Sequence, residues 1–143
     1  LYSSDVAHAE TLRERSRALG LAERVDFLGA VPYRSMPVEY RGAWALAHTS
    51  ATGSLDKVVL EAMACRTPVV TSNISALPET AGDAALLVDP LDDRALAEAI
   101  ARIVEDPVLA EDLALRGEKR AKAFTWGESA RRTWAVYEEA RDV

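Results

Sequence analysis

Side chains able to bind or react gather between Ser50 and Val70, in the run SATGSLDKVVLEAMACRTPVV. Gly53 and Ser54 precede a helical pattern there. Exposed amides at a helix N-terminus, reinforced by the macrodipole, favour an anion, and small residues let a ligand come close to the backbone. A phosphate would fit, although glycine and serine before a helix also make an ordinary turn and cap. Lys57 falls in the first turn, where a cation opposes the dipole, a local conflict that either function or simple tolerance explains. Glu61 lies one turn later on the same face, with lysine ahead of glutamate, the weaker order for such a pair; taken alone it reads as a solvated carboxylate. The other reactive side chains are His8, His48 and the single thiol Cys65. Two histidines and one thiol cannot build the usual zinc cluster, Cys65 has no disulfide partner within the chain, and both histidines read as structural.

The elements that must position these residues alternate between helix and strand. Val6, Ala9, Leu12 and Leu19 recur at helical spacing up to a stop at Gly20. Arg24 to Leu28 (RVDFL) is a β-rich run ended by Gly29, and Val31-Pro32-Tyr33 continues as loop. Ser35-Met36-Pro37 predicts a cap and first turn of a short helix carrying Val38, Tyr40 and Arg41 and stopping near Gly42. Trp44 to His48 is a continuous apolar run, the pattern of a strand covered on both faces. Asp56 to Cys65 predicts a helix with Val58, Val59, Ala62 and Met63 buried. Pro68 to Thr71 predicts a strand, Leu77 to Ala81 a brief helix and Ala84 to Val88 another strand. From Asp92 on the pattern is helical: 94–105, 108–123 and 127–141, with Asp92 or Asp93 and then Asp106 as N-caps. Trp126, Trp134 and Tyr137 of the last helix read as core, or as a surface that docks on another domain. The fold class is therefore α/β, a Rossmann-like parallel sheet flanked by helices with a helical C-terminal end. Ligands of such sheets sit beyond the carboxyl ends of the strands, which directs attention to the loops after Leu28, His48 and Thr71.

Composition narrows the function classes. The chain has 143 residues, 49% hydrophobic and 28% charged, enough for one domain with its own core and too apolar for a disordered segment. A net charge of −6 argues against an electrostatic footprint for nucleic acid. No apolar run approaches the length of a membrane span, and no signal pattern opens the chain, so a cytoplasmic location is expected.

The string Leu60-Glu61-Ala62-Met63-Ala64-Cys65 with Thr67-Pro68-Val69-Val70 resembles the signature of family 4 (group 1) retaining glycosyltransferases of the GT-B architecture. RVDFLGAVPY, LPETAGDAALLVDP and FTWGESARRTWAVYE resemble, in order, the blocks that flank it in those enzymes. The resemblance implies that residues 1–143 are a C-terminal donor-binding domain, N-terminally truncated, and therefore an incomplete GT-B domain. It implies a sugar moved from a nucleotide-diphosphate sugar to an acceptor glycan or lipid, with no cofactor and no metal. Glu61 corresponds to the second glutamate of the family's Glu-x7-Glu motif, which accepts hydrogen bonds from the ribose hydroxyls; a carboxylate's two oxygens suit paired donors. Gly53, Ser54, Leu55 and Lys57 correspond to the stretch facing sugar and diphosphate, where amides and a cation steady the leaving group. Gly29, Ala30 and Val31 correspond to the loop bordering the base. Asp56 and Lys57 are the candidate catalytic residues.

Three departures stand out. Gly53 occupies the place of the motif's first glutamate; Asp56 either supplies that carboxylate from a shifted position or simply caps the helix. Arg66 stands where the family has a glycine suited to left-handed backbone, at a cost on the order of 1 kcal/mol if that conformation is kept. The acceptor-binding domain and the first strand of the donor domain, with its basic pair, are not in the sequence. This predicts that residues 1–143 alone transfer no sugar, that exposed sheet edges favour self-association, and that any contact with the inner membrane runs through the missing half. Two other readings are a non-catalytic α/β interaction module derived from the same fold, and a different GT-B enzyme such as a sugar-nucleotide epimerase.

Overall fold

The computed structural model describes residues 3–51 and 56–141. They fall into two units, one ending at Tyr33 and one beginning at Arg34. In the first, α1 (Ser3–Ala18) ends where Gly20 takes φ +69°, and the Leu21 amide reaches back to the Ser16 carbonyl at 2.9 Å, a left-handed helix stop. The strand expected at Arg24 to Leu28 is not formed. A short 3-10 turn covers Ala22–Arg24, and Val25 is extended (φ −124°, ψ 111°), but the segment pairs with no strand among the described residues. Extended backbone becomes a strand only when a partner supplies the ladder, and β-rich composition cannot provide one. Phe27 instead lies under the Arg13 guanidinium, 5.1 Å from its ring centroid.

The second unit is built on a three-stranded parallel sheet in the order β1 (Leu46–His48), β2 (Val69–Ser72), β3 (Leu86–Val88). Leu46 is in register with Val69, and Val70 with Leu86. Between the strands run α3 (Lys57–Ala64) and α4 (Leu77–Ala81); α2 (Met36–Gly42) precedes β1, and α5 (Asp93–Glu105), α6 (Pro107–Ala121) and α7 (Trp126–Arg141) follow β3. All four residues of β2 are buried, and its two valines face opposite apolar clusters. Val69 packs with Tyr40, Val59, Ala62, Met63, Leu77, Ala81 and Ala84. Val70 packs on the other side with Val88, Ala99, Ile103 and Leu113. α3 and α6 come close because Gly117 has no side chain: a Cβ there would stand 3.1 Å from Met63 Cγ.

The caps explain where the late helices begin. Asp92 accepts the Ala95 amide at 2.9 Å, and Asp106 accepts those of Val108 and Leu109 at 3.0 Å. Ser35 makes no such bond, because a 3-10 turn over Tyr33–Ser35 leads directly into α2. Exposure corrects several sequence expectations. Trp44 is 72% exposed and lies before β1, whose residues are half-buried or exposed, so only β2 is covered on both faces. Val58 is exposed, since the buried stripe of α3 is Val59, Ala62 and Met63 alone. β3 begins at Leu86 rather than Ala84. α7 buries none of its residues: Trp126, Trp134 and Tyr137 are 80%, 63% and 65% exposed, so they are not core.

Candidate functional site

The expected site residues Gly53, Ser54 and Leu55 lie outside the described residues. Gly29, Ala30 and Val31 belong to the first unit, where Gly29 has φ +68° and open space around its Cα, so the backbone conformation rather than crowding requires glycine. Asp56, Lys57 and Glu61 belong to the second unit and stand together on the first two turns of α3 and the residue before it.

Asp56 is the N-cap residue by position but does not cap. Its side chain accepts none of the α3 amides. The His48 Nε2–H donates to Asp56 Oδ2 at 2.8 Å, with both side chains about one-quarter exposed. The ionised carboxylate has only acceptors, so this bond fixes which imidazole nitrogen carries the proton. His48 ends β1, and its carbonyl accepts the Thr71 hydroxyl at 3.0 Å, so the pair stands at the carboxyl edge of the sheet. The capping role expected for Asp56 is therefore replaced by a partnership with a histidine eight residues earlier.

Lys57 is exposed, and its ammonium lies 5.6 Å from the centroid of the Trp126 ring, an attraction of about 0.5 to 1 kcal/mol at an exposed site. That contact ties the start of α3 to the start of α7. Glu61, one turn on, is half-buried. Its Oε2 accepts the Tyr40 hydroxyl at 3.0 Å, and Oε1 accepts no hydrogen bond among the described residues. The sequence names Tyr40 only as one of the residues that α2 carries; a phenol's need for a partner when buried was the available signal.

Arg66 does adopt the left-handed conformation expected of its position, with φ 62°. Its guanidinium pairs with Glu111 and lies 3.8 Å from Glu118, so it bridges the end of α3 to α6. Glu118 sits below the ordinary carboxylate range, first because Lys122 donates to it and attracts it, with Arg66 adding a smaller pull. Arg66, Trp44, Arg41, Pro107 and Glu111 line a shallow groove of about 400 Å³ at the amino ends of β1 and β2. It includes none of Asp56, Lys57 and Glu61, and the carboxyl edge remains the place where the titratable groups converge. Among the described residues no cluster of three or more His, Cys, Asp or Glu side chains could hold a metal ion.

This arrangement offers a half-buried carboxylate presented by a helix, a cation one turn before it, and a histidine–carboxylate pair at the adjoining strand end. Such a surface can take hydroxyl donors and an anionic group side by side.

Residues 5–120 match the family described as glycosyl transferases group 1. The O-antigen chain mannosyltransferase B of Escherichia coli is 35% identical over 113 residues, covering 79% of this chain and 30% of that protein. The D-inositol 3-phosphate glycosyltransferase of Actinosynnema mirum is 38% identical over 130 residues, 90% of this chain and 31% of that one. The structure of sucrose-phosphate synthase from Thermosynechococcus elongatus superimposes with a TM-score of 0.84 at 32% identity, covering 95% of this chain and 35% of the other. The chain thus spans about a third of the length of these relatives. The parallel sheet, the helix order and the match along most of its length agree: this chain belongs to the group 1 glycosyltransferases.

Proposed function

We propose that this chain is the donor-binding part of a retaining glycosyltransferase, which moves a sugar from a nucleotide-diphosphate sugar to an acceptor glycan or lipid. The observation that carries the reading is Glu61, held at the second turn of α3 by the Tyr40 hydroxyl and leaving Oε1 to accept. In this role Glu61 receives the paired ribose hydroxyls, and charge-assisted bonds of that kind are the strong ones. Lys57 supplies positive charge near the diphosphate as it departs. Asp56, already engaged by His48, is oriented at the strand end, where a carboxylate can replace the one that Gly53 lacks. Fixed donors rather than a cofactor steady the leaving diphosphate in this reading. No helix among the described residues is long and apolar enough to cross a membrane.

Titration of the chain with UDP, GDP and ADP and their hexose conjugates, followed by amide chemical shifts, tests this. Binding of one of them, with shifts at Asp56–Glu61, supports the reading. Replacing Glu61 by alanine should then weaken the interaction by about tenfold or more, the value of a hydrogen bond to a charged group. An unaltered affinity in Glu61→Ala, or no response to any of the three nucleotides, would leave the interaction module as the better account, a reading favoured by the exposed Trp126, Trp134 and Tyr137 of α7.

A further inference from the structure

Tyr40 is the only buried aromatic side chain among the described residues. It is 6% exposed, whereas Phe27, Tyr33, Trp44, Phe124, Trp126, Trp134 and Tyr137 all expose more than a third of their surface. Phenylalanine would fill the same apolar slot against Val59, Ala62 and Met63, so packing alone does not account for the hydroxyl. A phenol in such a place needs a polar partner, and Tyr40 finds it across 21 residues of sequence in Glu61 Oε2, 3.0 Å away.

The other end of Tyr40 is fixed as well. Its carbonyl accepts the Thr67 hydroxyl at 2.7 Å and the Ala43 amide at 3.1 Å. Thr67, itself buried, is bound to α3 through its own amide, which reaches the Ala62 carbonyl at 3.0 Å once Arg66 has turned the chain through positive φ. A closed circuit results: α3 holds Thr67, Thr67 holds Tyr40, and the Tyr40 phenol returns to Glu61 on α3. The left-handed turn at Arg66 is what allows the circuit to close.

We propose that Tyr40 is a positioning residue for donor binding, its buried hydroxyl locking Glu61 in the rotamer that receives the nucleotide's hydroxyls. The inference rests on the reading of Glu61 as the ribose acceptor. A glutamate has three side-chain torsions to immobilise when a ligand binds. A carboxylate already held by a phenol on one oxygen enters the complex with that ordering done, which corresponds to about two- to tenfold in affinity. The phenol takes one of the lone pairs of Oε2, so Oε1 and the second lone pair of Oε2 can accept the nucleotide's two hydroxyls.

The test is calorimetric titration of the chain with UDP, GDP and ADP, taking forward whichever binds. Wild type, Tyr40→Phe, Glu61→Ala and the double variant are compared, with a thermal melt of each. Tyr40→Phe keeps the ring and so the packing; it should melt cooperatively and bind about two- to tenfold more weakly. In the Glu61→Ala background the same change should cost nothing, because there is no carboxylate left to hold. A purely structural tyrosine would instead lower affinity equally in both backgrounds, and that result overturns the proposal, as does wild-type affinity in Tyr40→Phe. If Tyr40→Phe fails to fold, Thr67→Val opens the circuit at its other joint and must show the same dependence on Glu61. Wild-type affinity in Glu61→Ala defeats the reading of Glu61 itself, and the inference falls with it.

Discussion

Substituting Gly117 by alanine sets two effects of known size against each other at the contact between α3 and α6. Alanine in a helix interior is favoured over glycine by about 1 kcal/mol. Against this, the added Cβ would stand 3.1 Å from Met63 Cγ, 3.3 Å from Met63 Cβ and 3.5 Å from its Cα. The outermost of these atoms belongs to a side chain with rotameric freedom, but Met63 is fully buried and shares its cluster with Val59, Ala62, Val69 and Leu77. It is enclosed by that cluster, and its Cβ moves only with α3. Overpacking of this kind costs roughly 1 to 3 kcal/mol. The steric term therefore outweighs propensity, and Gly117→Ala should destabilise by about 1 kcal/mol, lowering the midpoint of a thermal melt by about 3 °C. Urea unfolding followed by far-ultraviolet circular dichroism measures it, with an unchanged slope showing that the folded and unfolded states keep their exposed areas. The cost should shrink when Met63 is also alanine, because the 3.1 Å contact with Cγ is then gone while the 3.3 Å contact with Cβ stays. A stabilised Gly117→Ala, or an undiminished cost beside Met63→Ala, would refute the reasoning.

Two further outcomes follow from the helix ends and the last helix. Asp106→Ala leaves the amides of Val108 and Leu109 without their acceptor and should cost about 1 kcal/mol in the same urea assay, whereas Asp106→Asn should retain most of the stability. Glu128 is held at about 2 by hydrogen bonds from Arg131 first and Arg132 second, with their charges adding to the effect. A carboxyl lowered on folding contributes its stabilisation above the ordinary value of 4.5 and loses it as pH falls toward 2. Helicity of α7 should therefore decline across that window, and Glu128→Gln should remove that part of the pH dependence. Carbon-13 titration of the Glu128 carboxyl reads the shift directly, and a midpoint near 4.5 would contradict it.

The parts of the fold that local pattern decides were legible in the sequence. α4 spans the expected Leu77 to Ala81, and the aspartates at 92 and 106 cap as their type and position suggest. Gly20 ends α1, and Arg66 adopts the left-handed turn despite its side chain. Features that depend on distant partners were not legible. RVDFL carries β-forming residues but meets no neighbouring strand among those described, and Trp44 and Trp126 look like core until the surrounding helices are seen not to cover them.

The site divides in the same way. Lys57 and Glu61 could be placed one turn apart from spacing alone. The bond from Tyr40 to Glu61 and the pairing of His48 with Asp56 could not, since each joins different elements. A capping aspartate and a histidine-bound aspartate have identical local sequence; only the return of β1 beside α3 distinguishes them. His48, read as a structural histidine, proves to be the partner that draws Asp56 away from the helix amides.

Whether Glu61 receives the ribose hydroxyls of a nucleotide is tested most directly by removing those hydroxyls from the ligand rather than from the protein. Affinities of the bound nucleoside diphosphate and of its 2′-deoxy and 3′-deoxy forms are compared in wild type and in Glu61→Ala. The account predicts that each deoxy form binds wild type about tenfold more weakly and binds Glu61→Ala no more weakly than the parent nucleotide does. An equal loss in both proteins would show that the hydroxyls are received elsewhere and would contradict it.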